Sequence, residues 1–182
     1  DDPYSVRHSW DDAFRQMADG MTGLRIGIPR RFFFEDLEPG IGEAVEEAAT
    51  QMVQLGAVIT EIELEGADSA QQGVMPMVWA DAYEYHRERA EGNPELFGKD
   101  VLDRILLGRD ISGRDYAAAL RARERWNRVI DRALQEVDVI LTPTTPRAAP
   151  LIELSTDMLA TTHHLTRFTY LFSWSGLPGL SI

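Results

Sequence analysis

Between Leu24 and Leu64 the chain spells a strand, an amphipathic helix and a second strand in immediate succession, an order that leaves few folds open. Leu24, Ile26 and Ile28 alternate with Arg25 and Gly27 until Pro29, which has no N–H with which to continue a ladder. Pro39 at a first helical position, an acidic opening turn of Glu43, Glu46 and Glu47, and one apolar face of Ile41, Val45, Ala48, Ala49, Met52 and Val53 predict a helix ending at Gly56. Val58, Thr60, Ile62 and Leu64 alternate as the second strand. Strands joined through a helix lie parallel, and such crossovers are right-handed almost without exception. The fold class expected is therefore α/β, a mixed, largely parallel sheet layered with helices.

The remaining pattern is mostly helical. Ser9 with Asp12 reads as a cap for a short helix over Trp10–Met17, stopped at Gly20. Asp68 to Ala90, about Asn93 to Gly108, and Ser112 to Glu136 follow as helices, with Gly92 and Gly108 closing two of them and Ser112 and Asp115 forming a capping box. Val137 to Leu141 is a short apolar run of buried-strand type, bounded by Pro143-Thr144-Thr145-Pro146, and Met158 to Phe172 reads as a last helix. No repeat or low-complexity linker interrupts the 182 residues, so one domain over residues 1–182 is expected.

Charge excludes some partners. A net charge of -12 repels phosphate backbones and anionic headgroups unless a local basic patch overcomes it. The nearest patch, Arg121, Arg123, Arg125, Arg128 and Arg132, is interrupted by Glu124 and Asp131, so neither nucleic acid nor a membrane is expected as partner. No apolar run approaches the ~20 residues that cross a bilayer. The absence of cysteine removes disulfides, thiol nucleophiles and zinc–thiolate sites, and fits a reducing, cytoplasmic setting.

Few residues assemble into recognisable chemistry. Gly40-Ile41-Gly42 follows a loop instead of a strand end and lacks a third glycine, so no nucleotide site is read and no cofactor is expected. His163 and His164 point about 100° apart on a helix and cannot easily share an ion. With His8 and His86 they read as surface or pocket-rim residues. Glu43, Glu46 and Glu47 are accounted for by the helix dipole. Ser173 and Ser175, before Gly176, are the serines set in a tight turn, without a G-x-S-x-G elbow. Lys99 is the single lysine, and beside Asp100 it reads as a charged surface residue and not a neutral base.

Asp138-Val139-Ile140-Leu141-Thr142-Pro143-Thr144-Thr145-Pro146, followed by Ala149-Pro150, resembles the C-terminal half of the amidase signature family, where an aspartate precedes an apolar strand and a T-P-T-x-P turn. Gly23-Leu24-Arg25-Ile26-Gly27-Ile28-Pro29 is similar to that family's G-x-R-I-G-x-P strand. Leu106-Leu107-Gly108 before Ile111-Ser112, with Asp115-Tyr116 leading the long helix, is similar as well. Thr166-Arg167-Phe168-Thr169 and Ser173-Trp174-Ser175-Gly176-Leu177-Pro178 resemble its closing N-x-x-G-x-P segment, and the resemblance runs in one order from Asp2 to Ile182.

The resemblance implies hydrolysis of linear amides, or transfer of the released ammonia, by a serine nucleophile, a second serine in a cis peptide and a lysine. A neutral lysine drains the nucleophile's proton through the middle serine while backbone N–H groups hold the oxyanion. Those three residues precede the segment resembled here, so no catalytic residue carries over. The chain is expected to be an excerpt, the C-terminal portion of a longer domain without its N-terminal catalytic portion and last strands, and inactive alone. The resemblance makes Thr142, Thr166, Thr169 and Ser173, with Trp79, Tyr83 and His86, candidates for the substrate pocket. Trp79, Tyr83 and His86 equally read as an ordinary helix face at i, i+4 and i+7.

Ser173 stands where the family usually has asparagine, and Thr166 where the glutamyl-tRNA amidotransferase A subunits have an aspartate. Losing that carboxylate weakens recognition of an α-amino group, which favours a general amidase on a small, apolar amide. Two alternatives stay open: an amidotransferase A subunit releasing ammonia from glutamine, and a non-catalytic α/β binding or assembly module. A metal hydrolase built on His163 and His164 is a distant third. The partner expected is a small amide substrate, with a homodimer among the expected assemblies. An incomplete sheet also exposes apolar surface, so an isolated excerpt is expected to self-associate.

Overall fold

The computed structural model describes residues 20–151 and 158–182. The short helix expected over Trp10–Met17, with His8 and the cap at Ser9, lies outside the described residues. In order come β1 (Arg25–Pro29), α1 (Ile41–Gln54), β2 (Val58–Ile62), α2 (Ala67–Gly92), a 3-10 turn (Pro94–Leu96), α3 (Lys99–Leu106), α4 (Gly113–Glu136), β3 (Val139–Ile140), α5 (Met158–Leu165) and α6 (Thr169–Ser175). The strands lie in the order β2-β1-β3, with Arg25 opposite Val58 and Ile26 opposite Val139, and both pairings are parallel. The α/β architecture is the one the strand–helix–strand pattern dictates.

Alternation along β1 sends Gly27 to one face of the sheet and Ile26 and Ile28 to the other. Ile26 and Ile28 are both buried. On the Gly27 side lies the main core, where Ile62, Leu64, Val74, Trp126, Ile130 and Val137 meet Phe33, Phe168 and Leu171. A Cβ on Gly27 would stand 2.6 Å from Ile62 Cδ1 and 3.0 Å from Val137 Cγ2, so only glycine lets the end of α4 close over the central strand. At the sheet's other end Arg25 and Asp138 bind across the β1–β3 seam. The Arg25 backbone N–H donates to Asp138 Oδ2 at 2.9 Å, its guanidinium reaches Oδ1 at 2.7 Å, and Asp138 N–H returns a bond to the Arg25 carbonyl at 2.8 Å. The guanidinium holds the Asp138 carboxyl below its usual range.

Several boundaries differ from the pattern's expectation, each for a local reason. Pro39 lies before the cap of α1 and not at its first position. Gly40, at φ 95°, is the cap, and its N–H donates to Glu43 Oε2 at 2.9 Å. Among the described residues the second strand is an edge, so Val58 stays 53% exposed despite the alternation, and Ile62 is the residue of β2 that is buried. The stretch expected as one helix from Asn93 to Gly108 breaks at Phe97-Gly98, where Phe97 turns extended. Val137 closes α4 instead of opening β3, which shortens that strand to Val139–Ile140. The last helix is two: Thr166 Oγ1 donates back to the Thr162 carbonyl at 2.6 Å, and the turn through Phe168 drops that ring fully into the core. Ser112 caps α4 as its sequence implies, accepting from Asp115 N–H at 3.1 Å.

Two local constraints shape α2. Pro76 lies inside it, so the carbonyl of Gln72 receives no bond from that position. Gly108, just past α3, is pressed onto its backbone, where a Cβ would stand 1.9 Å from the Trp79 carbonyl oxygen and 2.6 Å from Tyr83 Cβ. Gly108→Ala is expected to force the two helices apart and cost about 2–3 kcal/mol, read as a lower denaturant midpoint at unchanged m-value. A variant as stable as the parent would mean that this contact is looser than the structure has it.

Candidate functional site

The chain steps from β1 outward to β2 and then crosses back to β3 on the far side of β1. At such a reversal the loops leaving the carboxyl ends of the two strands diverge and open a crevice, the usual ligand position in α/β sheets. Here those loops are residues 30–38 after β1 and 141–150 after β3. They are tied to each other: Glu38 N–H donates to the Pro146 carbonyl at 2.8 Å, and Glu38 Oε2 accepts from Ala148 N–H at 3.0 Å. Phe32, at φ 71°, holds a left-handed conformation costly for an aromatic residue. Its ring meets Phe33 and Phe168 edge-on at 5.2 and 5.7 Å, and the Arg167 guanidinium lies over both Phe32 and Phe168.

The candidate residues fall into three places. Thr142 stands half-buried just beyond the last β1–β3 rung, in which Leu141 N–H donates to the Gly27 carbonyl at 2.9 Å. Thr166, Thr169 and Ser173 occupy successive turns around the α5–α6 break. Their hydroxyls donate backwards, in that order, to the carbonyls of Thr162 at 2.6 Å, Thr166 at 3.2 Å and Thr169 at 3.0 Å. With the protons committed to the backbone, these oxygens present lone pairs and no charge. A substrate N–H suits them better than a carbonyl does.

Trp79 belongs with this group. Its ring lies parallel to that of His163 on α5, centroids 6.4 Å apart and planes 9° apart, and Gln71 Nε2 reaches the His163 carbonyl at 3.4 Å. Tyr83 and His86 are further along α2, in different company. Tyr83 lies against Gly108 and its hydroxyl donates to Glu91, which holds the phenol above its ordinary range; His86 meets Phe97 edge-on at 5.8 Å. A concavity of about 770 Å³ lies between α2 and α4 and another of about 620 Å³ beside Leu37 and Gly42, and none of the candidate residues lines either.

Sequence reasoning passed over the cationic side of this region. Nε2 of His163, Nε2 of His164 and Nε of Arg167 are all buried and find no hydrogen-bond partner among the described residues. Burial, together with the positive charges of Arg147 and Arg167, keeps the His164 imidazole below its usual range, and Asp36 pulls against them. His163, His164 and Arg167 stand at i, i+1 and i+4 and are neighbours by helical spacing, whereas Arg147 reaches His164 from the loop after β3, a relation that no local spacing announces. No three histidine or acidic side chains among the described residues stand close enough together to hold an ion. Lys99 is fully exposed and pairs with Asp103 at 2.5 Å, which raises its pKa; Asp100, the expected neighbour, is taken by Arg104 at 3.1 Å. Glu46 binds Arg30, a second structural role for an acid of the opening turn.

The family model described as Amidase matches residues 2–182, both sheet-reversal loops and the α5–α6 region included. The chain belongs to the amidase family. An amidase from Pseudomonas putida is 31% identical over 187 residues, an alignment covering all of this chain and 40% of that protein. The glutamyl-tRNA(Gln) amidotransferase A subunit of Thioalkalivibrio sulfidiphilus is 32% identical over 209 residues, again all of this chain and 42% of the relative. The crystal structure of an amidase superposes with a TM-score of 0.74 at 23% identity, covering 90% of this chain and 40% of that one, a likeness of fold. The chain thus spans about two-fifths of the length of these curated amidase-family relatives. Among the described residues no helix is long and apolar enough to cross a membrane.

The His164 environment sets a pH dependence. Folding favours the neutral ring, so the unfolded chain takes up the proton first. Stability is full above the unfolded value of about 6.5 and falls as the pH drops from there through the lower folded value. His164→Gln is expected to flatten that part of the curve, measured as melting temperature between about pH 7.5 and 5. An unchanged slope in the variant would remove His164 as its source.

Proposed function

We propose that the protein is an amide hydrolase acting on the C–N bond of a small linear amide, and that this chain supplies substrate-side walls. The observation that carries the reading is the amidase-family match over residues 2–182, continuous through both loops at the sheet reversal. The chemistry is that of the amidase signature type. A serine hydroxyl, deprotonated through a second serine in a cis peptide by a neutral lysine, adds to the amide carbonyl; the tetrahedral intermediate expels ammonia, and water then releases the acid from the acyl-enzyme. The lysine of that relay is not Lys99, whose ammonium is exposed and held charged by Asp103. The catalytic serines and lysine belong to sequence outside this chain, which alone is inactive.

The pocket candidates favour an uncharged substrate. Thr166 and Ser173 offer hydroxyls bonded to their own helices, and neither provides a carboxylate for an α-ammonium. Trp79 beside His163 adds a flat, largely apolar wall. A second reading, an amidotransferase A subunit drawing ammonia from glutamine, has the Thioalkalivibrio relative in its favour at 32% identity.

Ammonia release by the full-length protein from a panel of short aliphatic and aromatic amides, with L-glutamine beside them, tests both. Activity on neutral amides exceeding that on glutamine is expected. Thr166→Asp is expected to move the ratio of kcat/KM values at least about tenfold toward amides that carry an α-amino group. No ammonia from any amide would overturn the reading, and glutamine as the best substrate would replace it with the second.

A further inference from the structure

One basic feature of the sequence has no part in amide chemistry. Arg121, Arg125, Arg128 and Arg132 recur at i, i+4, i+7 and i+11 along α4, so they share one helix face over about 16 Å. All four are exposed. Arg125, Arg128 and Arg132 line the concavity of about 770 Å³ between α4 and the first turns of α2, and Arg121 continues the row one turn beyond it. The opposite wall is low, because Gly66, Ala70 and Gly73 carry little or no side chain, and Trp126 and Val129 form part of the floor. This is a trough with an apolar bottom and a cationic rim, on a chain whose net charge is -12.

The rim is unevenly satisfied. Arg128 pairs with Glu124 at 2.5 Å, and Arg132 donates to the Arg128 carbonyl at 3.2 Å. Among the described residues Arg121, Arg125 and Arg132 have no ion pair, and Glu65 and Asp131 also line the groove.

The geometry points to a docking groove for an acidic amphipathic helix of a partner protein. Its carboxylates, a turn apart, would meet Arg121 and Arg125, and its small apolar residues would lie over Trp126 and Val129. Three turns of helix match the length of the arginine row. A nucleic acid fits less well, because a polyanion gains nothing from the apolar floor and meets the field of the whole chain along its length. Two or three local carboxylates feel mainly the arginines within a Debye length.

The test uses the full-length protein and a fluorescein-labelled helical peptide of 15 residues, with glutamates at i, i+4 and i+7 and leucine and alanine on the other face, followed by fluorescence anisotropy. Saturable binding is expected, and it should weaken about tenfold in the double variant Arg121→Glu/Arg125→Glu, whose thermal melt checks its folding. A peptide with lysines in place of the glutamates is expected to bind the double variant better than the parent. No binding by the parent, or binding indifferent to the charge reversal, would overturn the proposal. So would tighter binding of a single-stranded oligonucleotide at the same groove, or a dimer in sedimentation that the double variant dissolves, since either names another occupant.

Discussion

Everything in this fold hangs on the closeness of α4 to the middle strand. Gly27 is the position that permits it: with no side chain between them, Ile62 and Val137 meet over the strand and the core of Phe33, Trp126, Ile130 and Phe168 can close. A methyl group there would lift the end of α4 off the sheet and with it β3, which begins two residues after Val137. Arg25 and Asp138 then fix the order of the seam from its other end. Both are exposed, so their worth lies less in energy than in register: the carboxylate accepts from the backbone and the guanidinium of the same arginine. Once β1 and β3 are held side by side, the loops that leave them start from neighbouring points of the carboxyl edge, where Glu38 binds the Pro146 carbonyl and the Ala148 N–H.

The architecture was legible because it is encoded locally. Alternation at Leu24–Ile28, the apolar stripe from Ile41 to Val53 and the Ser112 cap each need only a few neighbouring residues, and the structure has them nearly where the pattern puts them. What the sequence concealed is set over long distances. The exposure of Val58 follows from β2 being an edge, which depends on where β3 lands. The split of the last helix follows from Phe168 seeking Phe33, more than a hundred residues earlier in the chain, and Arg167 reaching the carbonyl of Glu35. Lys99 chose Asp103, one turn away, over its adjacent acid, because side chains a turn apart on a helix face each other and adjacent ones do not.

The candidate residues divide in the same way between local and long-range placement. Thr166, Thr169 and Ser173 stand together around the α5–α6 break, and Trp79 comes near them by stacking on His163 of α5. Tyr83 and His86 keep the company an ordinary helix face would give them, Gly108, Glu91 and Phe97. The basic surroundings of His164 come from a loop and a helix brought together by the proline-rich turn, a relation that only tertiary structure creates.

Pro76 gives the longest helix an unusual mechanical character. Gly66, Ala70 and Gly73, which line the arginine-rimmed trough, lie before it, and Trp79 and Tyr83, which meet α5 and Gly108, lie after it. A helix with an absent rung bends most readily at that rung. The two stretches therefore behave as separate levers sharing a pivot: a load on the first is absorbed as bending at the pivot before it displaces the second. One helix can then serve two neighbourhoods while insulating each from the other.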